Sequence, residues 1–169
     1  KTKIMSLYTP LNVDDLFKPL IKDIDVSFLG QISSYRNTRR EYIEYLQEEN
    51  IEGFISTKDR ESRLSYKKYA EILGRAKIGL NFSYSIDRHQ LKGRVFETML
   101  CGAMLLESQN PQTASLFEEG SDYVSFDSKE DLVKFYSEDI NYKNLINGTE
   151  GINLTHTFRA IIFLNVKTE

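Results

Sequence analysis

A compact group of basic residues in the middle of the chain has the side chains that bind phosphate. Arg88, His89, Lys92 and Arg94 lie within seven residues, and Lys92-Gly93-Arg94 falls where a helical pattern begins. Cationic side chains, free backbone N–H groups and the helix dipole would all meet an anion at this point. A solvated helix start is the ordinary alternative for two basic residues, although cations oppose the dipole there. Both interpretations remain open from the residues alone.

Glu97 is the second residue whose type and position suggest chemistry, because it stands between apolar residues of the same predicted helix. Its carboxylate would border the core between Phe96 and Met99, and a carboxylate so placed needs hydrogen-bond donors. Arg94, three residues earlier on the same face, could supply them as an ion pair. The hydroxyl groups of a ribose could donate instead, as they do to acidic residues in dinucleotide sites.

Short apolar segments alternate with helical patterns, and this alternation predicts the elements that position those residues. Strands are expected at 25–30, 51–56, 77–82, 103–106 and 123–126, and helices at 36–49, 65–73, 95–100 and 128–137, with a helical turn at 115–119. Five such repeats favour an α/β fold, a Rossmann-like parallel sheet with helices on both faces. Ligands of such sheets bind outside the carboxyl ends of the strands, here Gly30-Gln31, Ser56-Thr57, Ser83-Tyr84 and Glu107-Ser108.

Helix ends are marked by residues that favour capping. Ser65 is expected as an N-cap, and Gly102 as a left-handed residue after the helix that carries Glu97. Ser128 and Asp131 stand at the spacing of a capping box. Cys101, beside Gly102 in an apolar run, is expected to be a small buried residue rather than a nucleophile.

The composition is that of one ordinary domain of 169 residues with a net charge of −3. A weakly acidic chain with one basic cluster does not resemble a general nucleic-acid binder. One cysteine and two histidines allow neither an internal disulfide nor a Cys/His zinc site, so a reducing, cytoplasmic location is expected. The longest purely apolar run, Ala160 to Leu164, is far shorter than the roughly 20 residues of a membrane span.

The segment Gln90–Leu106 resembles the glycosyl transferases group 1 family. Its specific part is Lys-Gly-Arg-Val-Phe-Glu at 92–97, followed by Cys101-Gly102 and an apolar strand. Supporting matches lie at 25–30, 76–83, 116–120, 131–132 and 155–159, so the resemblance covers about residues 25–160.

This resemblance implies the C-terminal, donor-binding half of a GT-B glycosyltransferase, with no obligatory metal and no cofactor. The ligands it implies are a nucleotide-diphosphate sugar as donor and an unknown acceptor, which would be a glycan, a protein or a small molecule. The expected division is a connecting segment at 1–24, the donor-binding domain at 25–140 and a C-terminal helical segment at 141–169. The chain begins at Lys1 and is expected to be a fragment, inactive without an N-terminal acceptor domain.

The resemblance also implies roles for individual residues. Glu97 would bind the ribose hydroxyls, while Lys92 and Arg94, with Gly93 between them, would bind the diphosphate and neutralise it as it departs. The Gly30-Gln31 loop would approach the phosphates or the sugar. Arg36, Arg39 and Arg40 are candidates for the basic residues that often follow that loop in the family. No metal ligands are predicted.

Weaker predictions concern the base and the sugar. Ser65, Tyr66 and Ser83 lie on loops where such proteins usually hold the base. His89 stands where many retaining members carry the first of two glutamates. As a candidate catalytic residue it would donate to a sugar hydroxyl or to phosphate, and an exposed loop histidine is the alternative.

Two other functional classes remain as alternatives. A glycosyltransferase-like domain that has lost catalysis would bind sugar or partner proteins and keep the fold. A doubly wound non-catalytic module, such as a signalling receiver, would need a phosphorylatable aspartate at the ends of the early strands. The segments Phe28-Leu29-Gly30 and Phe54-Ile55-Ser56 contain none.

Overall fold

Five parallel strands form the sheet that organises the described part of the chain. The computed structural model describes residues 16–32, 37–51, 53–56, 64–85 and 88–137. The sheet strands are β1 (Ile24–Leu29), β2 (Phe54–Ser56), β3 (Ala76–Asn81), β6 (Met104–Ser108) and β7 (Tyr123–Phe126), in the order β2-β1-β3-β6-β7. A two-stranded antiparallel hairpin, β4 (Tyr84–Ser85) and β5 (Arg88–His89), stands apart from this sheet. The predicted Rossmann-like parallel sheet is therefore confirmed.

Helices cover both faces of the sheet, as predicted. They are α1 (Asn37–Glu48), α2 (Tyr66–Arg75), α3 (Gly93–Leu100), α4 (Pro111–Ala114) and α5 (Lys129–Ser137). On one face, α1 and α5 bury Leu46 and Leu132 against strand residues such as Phe28 and Leu106. On the other face, α2 and α3 pack their apolar sides on the sheet, with Leu73 beside Leu29 in one apolar cluster.

The predicted caps are present. The Ser65 hydroxyl accepts a hydrogen bond from the Lys68 amide at 3.2 Å, which begins α2. Gly102 has φ +60° and ends α3, with the next amide donating back to the Thr98 carbonyl. Ser128 and Asp131 exchange hydrogen bonds of 3.0 and 3.1 Å at the start of α5.

Three predicted boundaries are wrong, each for a local reason. The helical turn expected at 115–119 lies earlier, in α4, because Asn110 caps the Gln112 amide and proline occupies the first turn. The strand expected from residue 51 begins at Phe54. Residue 51 belongs to the end of α1 instead, because the Ile51 amide donates to the Leu46 carbonyl and the preceding Asn50 has a left-handed conformation, with φ 56°. The loop expected at 83–93 contains the β4–β5 hairpin.

The outer segments of the chain are described only in part. Phe17, in the predicted connecting segment 1–24, is buried in the apolar cluster under α2. The predicted helical segment 141–169 lies outside the described residues, so the division into segments stays a prediction. No helix in the described ranges is long and apolar enough to cross a membrane.

Candidate functional site

The candidate site lies where the strand order reverses, between β1 and β3. In a doubly wound sheet of this order, the chain runs to β2 on one side of β1 and to β3 on the other, which opens a crevice at the carboxyl ends. Gly30 and Gln31 follow β1 at this edge, and Phe82 and Ser83 follow β3. The start of α3 brings Lys92 and Arg94 to the same place.

The backbone carbonyl of Phe82 anchors two cations. Lys92 Nζ donates to this oxygen, and Arg39 Nη2 donates to it at 3.1 Å. Arg39 Nη1 donates to the Gln31 carbonyl at 3.0 Å, so one guanidinium joins the ends of β1 and β3. The Arg39 side chain is only 5% exposed and lies 5.5 Å from the ring centroid of Phe82.

Arg39 is therefore a site residue whose burial the sequence pattern does not predict. Its position on the polar face of α1, among charged neighbours, indicates a solvated side chain. The structure instead turns it under the crevice, where its two Nη groups donate to backbone carbonyl groups. Arg40, the next candidate from the family pattern, is exposed, and Arg36 lies outside the described residues.

Arg94 lies at the mouth of the crevice beside Gly30. Its Nη1 is 3.4 Å from Oδ1 of Asn81, and its guanidinium carbon is 5.8 Å from the ring centroid of Phe28. A Cβ placed on Gly30 would lie 2.6 Å from Phe28 Cζ and 3.3 Å from Arg94 Nη1. Position 30 thus requires glycine, because Phe28 and Arg94 approach it so closely. This close approach brings the Gly30-Gln31 loop, predicted to approach the phosphates, against Arg94, predicted to bind them.

Glu97 receives its hydrogen bond from a residue that neither sequence alternative named. The Tyr69 hydroxyl, on α2, donates to Oε2 of Glu97 at 2.5 Å. Within the described ranges Arg94 makes no ion pair with Glu97. The other oxygen, Oε1, faces the first turn of α3, 3.6 Å from where a Cβ on Gly93 would lie. No residue described in the structure donates to it.

Burial governs the protonation of this pair. Desolvation raises the pKa of Glu97, opposed by the Tyr69 hydrogen bond and by the positive charge of Arg94. Desolvation likewise raises the pKa of Tyr69, and the nearby Arg94 charge acts against it. A ligand hydroxyl or a closer cation at Glu97 would offset the cost of burying its charge.

An exposed aromatic ring adjoins the Glu97–Tyr69 pair. Tyr66 is 52% exposed and stacks on Tyr69, with ring centroids 6.2 Å apart and planes 4° from parallel. Phe17 packs edge-on against Tyr66 at 5.4 Å and supports the stack. Ser65, predicted with Tyr66 near the base, uses its hydroxyl as the cap of α2.

A buried polar cluster lies beneath the crevice, and its glutamate is a second residue that the site prediction did not include. Glu107, at the end of β6, is fully buried, and its Oε1 accepts hydrogen bonds from Asn81 Nδ2 at 2.9 Å and from the Ser83 hydroxyl. Burial raises its pKa, and the hydrogen bonds act in the opposite direction. A carboxylate inside an apolar strand run is the signal that could have singled it out.

The remaining predicted residues have less defined places. Ser83 is fully buried with its hydroxyl in the Glu107 cluster, so its contact with a nucleotide stays a prediction. His89 is partly buried in β5, opposite Tyr84 of the hairpin, and its role toward a sugar also stays a prediction. Cys101 is buried, as predicted, and burial raises its pKa to about 12, which keeps the thiol protonated. Among the described residues, no group of three His, Cys, Asp or Glu side chains is placed to hold a metal ion.

Fold and site together define a doubly wound α/β domain with a cationic crevice at its switch point. The sequence matches the model of the glycosyl transferase-like family over residues 14–142, and the chain belongs to that family. The resemblance drawn from the Lys92–Glu97 motif is thereby confirmed.

A solved structure supports the fold assignment. The crystal structure of an α1,3-fucosyltransferase superposes with a TM-score of 0.52 and 11% sequence identity, covering 93% of this chain and 47% of that chain. The chain thus spans about half the length of that enzyme, in agreement with the prediction of one half of a GT-B fold. No curated protein matches the sequence.

Proposed function

We propose that this chain is the donor-binding domain of a glycosyltransferase that transfers a sugar from a nucleotide-diphosphate sugar to an acceptor. The observation that carries the proposal is the convergence of Lys92 and Arg94 on the carboxyl end of β3, with Arg94 next to Gly30 and Oε1 of Glu97 beside Gly93. Two cations and a carboxylate at the switch point of such a sheet suit a ribose joined to a diphosphate.

The proposed pose follows from the spacing of these groups. Oε1 of Glu97 accepts from a ribose hydroxyl, and Tyr69 holds the other oxygen in place. The diphosphate extends from the ribose toward Arg94 and Lys92. The exposed ring of Tyr66 gives the base a face to stack on, since aromatic stacking tolerates any base.

The proposed chemistry uses the cations for the leaving group. When the bond between the sugar carbon and the diphosphate oxygen breaks, the electron pair remains on the diphosphate, and Lys92 and Arg94 stabilise the added charge. The acceptor oxygen forms the new bond to the sugar carbon, and its proton is released to the departing diphosphate or to solvent. His89 is the candidate contact to the sugar. We propose that this transfer proceeds without a metal ion, so a chelator should leave donor binding unchanged.

Nucleotide-dependent thermal stability tests the proposal. Uridine, guanosine and adenosine diphosphates at millimolar concentration are added to the 169-residue chain, and at least one should raise the Tm, because a ligand that binds only the folded state stabilises it. Glu97→Ala and Arg94→Ala should abolish the shift. Glu130→Ala on α5 and Arg40→Ala on α1 change exposed residues of the same types and should retain it. Absence of any shift would refute the proposal.

Turnover is a separate question, because the chain spans about half of the fucosyltransferase that it resembles. We expect the chain to bind a donor without releasing nucleoside diphosphate. A second candidate function is a domain that binds a nucleotide-sugar without transferring the sugar. His89 favours it, because many retaining members of the glycosyltransferase family have a glutamate at this position. A longer form of the protein that binds donor and releases no diphosphate with any acceptor would support this second candidate.

A further inference from the structure

Residues 81–83 contact three cations of the crevice among the described residues. Arg94 contacts the Asn81 side chain, and Lys92 and Arg39 donate to the Phe82 carbonyl. The position of this segment therefore sets the position of the three positive charges.

Glu107 holds this segment on both sides. Asn81 and Glu107 are register partners in neighbouring strands, so their side chains lie side by side. Oε1 of Glu107 accepts from Asn81 before Phe82 and from Ser83 after it. All four residues are at most 6% exposed, so they lie out of reach of bulk water.

The same hydrogen bonds fix which way the Asn81 amide points. Its Nδ2 group donates to Glu107 at 2.9 Å and to the Ser83 hydroxyl at 3.0 Å, which uses both of its N–H groups. The amide oxygen must then face the opposite way, toward Arg94, where it can accept. With no acceptor at position 107, the amide could turn its N–H groups toward Arg94, which has no lone pair to receive them.

We infer that Glu107 is a positioning residue of the diphosphate-binding site, acting through Asn81 to orient Arg94. The identity of the ligand in this inference rests on the proposed function, whereas the orientation of Arg94 by Glu107 and Asn81 does not. Glu107 touches no ligand itself, since it lies beneath the crevice. Its removal should therefore weaken binding of the diphosphate and spare binding of the nucleoside.

The test compares Glu107→Met, which removes both acceptor oxygens, with Glu107→Gln, which keeps one. The first probe is a nucleoside diphosphate, chosen from those of uridine, guanosine and adenosine as the one with the largest thermal shift, and its affinity is measured by calorimetric titration. The second probe is the matching nucleoside, and its affinity is measured by competition. Glu107→Met should weaken diphosphate binding about tenfold, and Glu107→Gln should restore most of it. Nucleoside binding should not change. Glu130→Met and Glu130→Gln, on the exposed side of α5, are the matched controls.

A double-mutant cycle and a spectroscopic measurement separate positioning from general stability. In an Arg94→Met background, Glu107→Met should cause no further loss of diphosphate affinity. The ¹H–¹⁵N signal of Arg94 Nε, assigned by its loss in Arg94→Lys, should move in Glu107→Met and stay near its wild-type position in Glu107→Gln and Glu130→Met. If Glu107→Met does not fold, Glu107→Asp replaces it, because its shorter side chain withdraws the acceptor from Asn81 and should move the signal as well.

Other results would overturn the inference. Equal weakening of nucleoside binding and diphosphate binding would show that Glu107 has only a structural role. The same would follow if Glu107→Met lowered diphosphate affinity as much in the Arg94→Met background as in the wild type. Unchanged diphosphate affinity in both Glu107 variants would overturn it as well. If the wild-type chain binds no nucleotide, the proposed function fails. The positioning claim is then decided by the Arg94 signal alone, and an unmoved signal would overturn it.

Discussion

The Tyr69 hydroxyl donates to Oε2 of Glu97 at 2.5 Å, and this contact joins α2 to α3 across 28 positions of sequence. It holds Oε2 of the carboxylate, while Oε1 has no donor among the described residues. The ribose-binding geometry proposed for Glu97 therefore depends on a residue of a different helix.

Tyr69→Phe should destabilise the protein by about 1–3 kcal/mol, because it leaves a half-buried carboxylate oxygen without its donor. The pKa of Glu97 should also rise further, since the hydrogen bond that favours its charged form is lost. Urea denaturation at neutral pH measures the loss of stability. Tyr66→Phe, which removes the hydroxyl of an exposed ring, is the control and should change stability by less than about 0.5 kcal/mol. Equal effects of the two substitutions would contradict the assignment.

Arg39→Lys should cost about 1–3 kcal/mol, because a lysine cannot bond both the Gln31 and the Phe82 carbonyls across the crevice. Diphosphate affinity should fall as well, since the ends of β1 and β3 are no longer joined. Denaturation and calorimetric titration measure the two effects. Arg40→Lys, at the exposed neighbouring position, should leave both quantities unchanged. An unaltered stability of Arg39→Lys would show that the bridge is unimportant.

Gly79→Ala should destabilise the protein by about 1–3 kcal/mol through overpacking. A Cβ at position 79 of β3 would lie 2.4 Å from Cγ2 of Thr98, on the helix that carries Arg94 and Glu97. Thr98→Ala removes the obstructing methyl group together with a buried hydroxyl that has no hydrogen-bond partner among the described residues. The double variant Gly79→Ala/Thr98→Ala should therefore recover most of the stability in denaturation experiments. Additive losses would contradict the close contact of α3 with β3.

Glu107→Gln should change how stability depends on pH. Burial raises the pKa of Glu107 above its ordinary value of 4.5, so the folded chain holds this proton more tightly than the unfolded chain. The stability that this group contributes is then complete below pH 4.5 and is lost as the pH rises through the raised value. The free energy of unfolding of the wild type, relative to Glu107→Gln, should fall as the pH rises above 4.5. A constant difference in urea titrations, as expected for the control Glu130→Gln, would refute this.

Lys92→Met should weaken diphosphate binding about tenfold, because the charged hydrogen-bond donor that we propose for the diphosphate is lost. Binding of the matching nucleoside should not change. The salt dependence of diphosphate affinity should also become less steep, since one cation fewer acts on the phosphates. Lys18→Met, at an exposed lysine before β1, should retain wild-type affinity and salt dependence. Parallel losses for nucleoside and diphosphate would place Lys92 outside the phosphate site.

Local patterns predicted most of the elements correctly. Apolar runs of the right length located β1, β3 and β7, and capping residues located the starts of α2 and α5. The errors lie where side chains or loop geometry outweigh hydrophobic periodicity, as at Asn110, which caps α4, and at Asn50, which ends α1 in a left-handed conformation. Short hairpins such as β4–β5 have too few residues to show a pattern.

The sequence by itself determined that Lys92 stands just before a helix and that Arg94 and Glu97 lie in its first turns, since helical spacing and a glycine stop are local properties. Only the tertiary structure decided what these residues contact. Tyr69 and Asn81 reach Glu97 and Arg94 from 28 and 13 positions away, and Arg39 reaches Phe82 from 43. Such pairings depend on which strands become neighbours and on which side chains lose water, and neither is encoded in the spacing along the chain.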